Sequence, residues 1–89
     1  MRAIMTVIGP DRVGIIASVS ALLASLNVNI VDLNQTILKG IFTMTLLVDT
    51  SAANCSFDAI RAALTAHGEK EALDIRIQRE DTFTAMHRI

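Results

Sequence analysis

The chain has 89 residues, 52% of them hydrophobic and 19% charged, which suits one domain with a substantial core and excludes a disordered segment. Eight Lys and Arg against nine Asp and Glu give a net charge of -1 with no basic block. With no Trp or Tyr and three Phe, it lacks both the charge and the stacking rings that a nucleic-acid partner requires.

Residues 2–8 (RAIMTVI) are rich in β-branched side chains and closed by Gly9-Pro10, predicting a first strand that runs into a turn. Asp11 then stands where an N-cap belongs, and Ile15 or Ile16, Val19, Leu22 or Leu23, and Leu26 recur at helical spacing up to Asn27. Residues 13–31 carry no charge over 19 positions, but Gly14, three Ser and two Asn interrupt them, so they read as a buried helix and not a membrane span. The amino terminus shows neither a continuous apolar run nor a small-residue cleavage site, and a cytoplasmic protein is expected.

From Val28 the period changes to two. Val31, Leu33 and Ile37 fall on one side of a second strand, 28–38, and Asp32, Asn34 and Thr36 on the other. Lys39-Gly40 makes a tight turn into a third strand that alternates Phe42, Met44, Leu46 and Val48 with Thr43, Thr45 and Asp49. Ser56 is placed to cap a second helix with Phe57, Ile60 and Leu64 on its apolar face, Gly68 to end it, and His67 to complement the dipole in its last turn. Leu73, Ile75 and Ile77 alternate with Asp74, Arg76 and Gln78 in a fourth strand, and residues 81–89 read as an extension forming one helical turn with Phe83 and Met86.

The predicted order βαββαβ is the ferredoxin-like α+β plan: a four-stranded antiparallel sheet in the order 4-1-3-2 with two helices on one face, all in a single domain, 1–89. The other face is expected to present Asp32, Asn34, Thr36, Thr43, Thr45, Arg76 and Gln78 to solvent. The lone Cys55 fits no disulfide framework or metal-ligand spacing and reads as an ordinary thiol; no metal or cofactor is expected. His67 and His87 have no Ser or Cys companion at a catalytic spacing. The turn from Gly9 to Ile15 is left. Unpaired N–H groups at a helix start attract a carboxylate, and Gly14 in that first turn implies either close approach by a ligand or a packed neighbour.

The run GPDRVGIIASVSALLASLNVNIVDLNQT resembles the signature of the ACT domain family, as do the FTMTLLVD strand and the FTAMHRI end. It is most similar to ACT domains of formyltetrahydrofolate deformylase, of glycine-cleavage regulators and of small stand-alone proteins. The resemblance implies a non-enzymatic regulatory module that binds an amino acid or related metabolite and signals to a partner enzyme or regulator. It also implies that Asp11 and Asn29 hydrogen-bond the ligand, while Gly14 and Ile15 shape its site. Acidic Asp11 stands where many members carry Asn, so it would pair with a ligand's ammonium, repel its carboxylate unless the helix start outweighs it, or serve only as an N-cap.

A homodimer is expected on two grounds. So small a domain completes its core by pairing, and the second strand lies at a sheet edge with no Pro, no Lys before Lys39 and Asp32 as its only charge. A first helix of about 15 residues, roughly 22 Å long, separates Asp11 from Asn29 of the same chain, so a shared ligand requires the partner's Asn29. Two alternatives stand beside this reading. One is an acylphosphatase-type hydrolase using Arg12 with Asn29 or Asn34, though that family's full loop motif is missing; the other is a ligand-free structural subunit.

Overall fold

The computed structural model describes residues 1–81. Its elements are β1 (Arg2–Pro10), α1 (Ile15–Ser25), β2 (Asn29–Leu38), β3 (Ile41–Asp49), α2 (Phe57–Glu71) and β4 (Asp74–Arg79). The strands form one antiparallel sheet, β2-β3-β1-β4, the expected ferredoxin-like order read from the other side. Alternation along the strands aims Ala3, Met5 and Val7, then Phe42, Met44, Leu46 and Val48, then Ile75 and Ile77, at one side. There they meet Ile15, Val19 and Leu23 of α1 and Ile60 and Leu64 of α2 in one buried cluster, so both helices cover the same face. The expected C-terminal turn, with Phe83 and Met86, lies outside the described residues.

Several expectations are corrected. Asp11 does not cap α1: Gly14 does, at φ 92° and ψ 0°, with no side-chain cap hydrogen bond. The chain stays tied to the sheet beyond β1, since the Asp11 N–H donates to the Gly40 carbonyl at 2.8 Å. It then enters the helix through a left-handed step, which costs glycine nothing and other residues about 1–2 kcal/mol. β1 itself runs through Gly9-Pro10, where Pro10 pairs with Ile41 beyond the reach of β4, a strand end that tolerates a missing N–H.

α2 does not stop at Gly68 but continues to Glu71 and ends on Ala72 at φ 57°. Gly68 is buried because a Cβ there would stand 2.6 Å from the Leu73 carbonyl oxygen; it lets the chain turn tightly from α2 into β4. His67 therefore lies before the last turn, half-buried. Ser56 caps the start as expected, accepting from the Ala59 N–H at 3.2 Å.

In β2 the register slips between Ile30 and Asp32, leaving Val31 as an extra residue. Ile30 and Leu33 pack on the core instead of Val31 and Leu33, and Val31 is exposed. Ile37 keeps its expected side but is 54% exposed, because β2 is the edge farthest from α2. The open face also departs from the purely polar set expected, since Ile4 and Leu47, neighbours in register, stand there half-buried by each other and by their flanks.

Candidate ligand site

The loop of residues 11–14 and the first turn of α1 stand over the far end of β2, and together they enclose an open cleft of about 600 Å³. Ile15 and Phe42, both buried, form its floor, while Ile16 and Ile37 wall it at 36% and 54% exposure. Ile37 is in register with Phe42 and Gln35 with Met44, so both β2 side chains project on the helix side of the sheet. Gln35 is the neutral polar group of the wall.

Gly14 borders this space. A Cβ built on it meets nothing within 4 Å, so the close-neighbour explanation of this glycine falls. Positive φ accounts for the residue, and the space beside it is free. The first helical bond runs from the Ser18 N–H to the Gly14 carbonyl at 2.9 Å. The N–H groups of Ile15, Ile16 and Ala17 precede it, so they have no intrahelical acceptor and carry the positive end of the helix dipole.

Asp11 lines the same cleft with an exposed side chain. Arg12 lines the cleft too, while its guanidinium donates to the Glu71 carbonyl at 2.5 Å, at the negative C-terminal end of α2. It pins the loop to the α2–β4 turn. Asp11, Gly14 and Ile15 are thus brought together within one chain. Asn29 is not among them: it opens β2, exposed and in register with Asp49, at the opposite end of the strand from Gln35 and Ile37. α1 has 11 residues, fewer than expected, and still holds the two ends about 16 Å apart. Ile16, Gln35, Ile37 and Phe42 escaped the sequence analysis as site residues. Only the shared parity of Gln35 and Ile37 with Leu33 signalled that they turn toward the helices.

Among the described residues one Ser–His contact exists, His67 Nε2 to Ser18 Oγ at 3.3 Å, between α2 and α1. The Ser18 hydroxyl donates to the Ile15 carbonyl at 3.0 Å, so its proton is directed away from the imidazole. The pair joins two helices and is not arranged as a base activating a nucleophile. Cys55 is a free, half-buried thiol, and the described residues contain no cluster able to hold a metal ion. No helix among them is long and apolar enough to cross a membrane.

Residues 2–78 match the ACT domain family. The chain belongs to it. This ACT domain is 52% identical to a UPF0237 protein of Listeria innocua, with both chains covered completely. Among solved structures it is similar to an ACT domain protein from Streptococcus pneumoniae, at 36% identity and a TM-score of 0.81, covering 100% of this chain and 97% of that one. It is also similar to a formyltetrahydrofolate deformylase from Pseudomonas syringae, at 36% identity and a TM-score of 0.77, where 88% of this chain covers 27% of that one. ACT domains are regulatory ligand-binding modules, often for amino acids.

Proposed function

We propose that this ACT domain is a cytoplasmic homodimer that senses an amino acid and passes the signal to a partner enzyme or regulator, with no chemistry of its own. The observation that carries this reading is the position of the cleft: it opens beside β2, an edge strand whose outer row of backbone groups has no strand partner. Antiparallel pairing of two β2 edges about a two-fold axis satisfies those groups. It also carries Asn29 at the start of one strand toward the cleft at the end of the other. The ligand's carboxylate then faces the α1 N–H groups, its ammonium faces Asp11, and Asn29 of the partner subunit completes the site. Exposed Val31 on β2 adds apolar area for burial.

For an acyl phosphate hydrolase built on Arg12, Asn29 would have to join that arginine, and it stands at the opposite end of β2 from the cleft that Arg12 lines. The shared site is tested with Asp11→Ala and Asn29→Ala chains, both changed at exposed positions. Neither parent dimer should respond to the amino acid that stabilises the wild type. Mixed dimers should recover one working site of two, read as half the calorimetric stoichiometry; equal loss in the mixture rejects the shared site.

A further inference from the structure

We infer that the ligand carries an aliphatic side chain, and that Ile16 and Ile37 set this preference. The inference rests on the amino acid reading above and concerns the part of the ligand that the dimer's polar groups do not touch. Behind Gly14 the cleft presents hydrocarbon from Ile15, Ile16, Ile37 and Phe42. Arg12 borders the cleft with its guanidinium bonded to the Glu71 carbonyl, and Gln35 is neutral, so the wall formed by Ile16 and Ile37 offers an ionised side chain hydrocarbon and no counter-charge. Asp11 is the acidic residue of the lining, and the reading above gives it the ligand's ammonium.

Contact argues the same way. Glycine and serine carry no hydrocarbon to lay against Ile16 and Ile37, which would stay in water. A second copy of the chain does not fill it either: pairing along β2 approaches the edge of the strand, whereas Ile37 and Gln35 project from its helix-side face. Each methylene moved from water into such a cleft tightens binding about fourfold. Leucine, with three more side-chain carbons than alanine, should therefore bind roughly sixtyfold more tightly.

Titration calorimetry of the full chain with glycine, serine, alanine, valine, leucine, methionine, aspartate and lysine reads this directly. Affinity should rise from alanine through valine to leucine and methionine, and aspartate and lysine should give no heat. Serine or glycine binding as tightly as leucine overturns the inference and leaves amino acid sensing intact. Silence across the whole panel, extended to the remaining twelve amino acids, overturns both. Ile37→Ser, at an exposed position, should remove most of the preference for leucine while keeping the affinity for alanine. If that variant runs as a monomer, Ile16→Ser on α1 gives the same comparison away from the strand edge. A uniform loss for both amino acids in a dimeric variant rejects these isoleucines as the source of selectivity.

Discussion

Gly14 and Gly68 are required for opposite reasons. Gly14 has open space and a left-handed backbone, so Gly14→Ala should cost about 1–2 kcal/mol through φ alone. Gly68 has an ordinary helical backbone and no space, so Gly68→Ala must push the Leu73 carbonyl aside, at about 1–3 kcal/mol of overpacking. Urea denaturation measures both. Asp11→Ala should stay within about 0.5 kcal/mol of wild type, because Asp11 supplies no cap bond; a loss near 1 kcal/mol would restore the capping role. Asp49 gives a pH-dependent counterpart. The Ser51 hydroxyl at 2.6 Å, the Ser51 N–H at 2.8 Å and the amino-terminal ammonium at 3.6 Å hold its carboxyl below the usual carboxylate range. A depressed folded pKa contributes stability above the unfolded value of about 3.9, and that contribution is lost as pH falls through the folded value. Ser51→Ala should lower stability slightly in the neutral region, leave it unchanged at pH values where Asp49 is protonated in both states, and so flatten this part of the acid-unfolding curve.

The elements themselves were legible in the sequence wherever a periodic pattern ran uninterrupted. Phe42 to Val48 and Ile75 and Ile77 each obey period two and are buried as expected, and Met5 and Val7 of β1 follow the same period and are buried too. Where the chain changes direction, the pattern carries less. Nothing in NIVDLNQTIL distinguishes Ile30 from Val31 as the inward residue, because the bulge is a property of pairing with β3. The left-handed entry at Gly14 and the run of α2 beyond Gly68 depend likewise on neighbours distant in sequence. The cleft was half legible for that reason: Asp11, Gly14 and Ile15 adjoin along the chain, whereas Ile37 and Phe42 arrive through the β2–β3 hairpin. The β2 edge gives its own prediction. The Leu33 N–H is bonded to the Asp32 carboxylate and so turns away from β3, and alternation puts the Gln35 N–H on that same open side. Gln35→Pro should therefore leave the β2–β3 ladder intact and shift the protein to a monomer by analytical ultracentrifugation; an unchanged dimer rejects β2 as the interface.

At the scale of the whole molecule, the two edges of the sheet differ. Along β4, the Arg61 guanidinium lies over the Phe57 ring at 4.9 Å and donates to the Ile77 carbonyl at 3.4 Å, covering one of the acceptors a new strand would use. Arg76 pairs with Asp74 on the strand and Arg79 with Asp81 just beyond its end, so charge lines that edge, where β2 offers Asp32 alone. Counting valences gives the consequence. A subunit with two adhesive edges is a divalent monomer and polymerises into ribbons, whereas a subunit with one is monovalent and its association stops at two. On the β2-paired dimer proposed above, Arg61 would act as a chain terminator for sheet growth. Arg61→Ala should raise the valence toward two and produce light-scattering species that grow with protein concentration, while the wild type stays at one size over the same range.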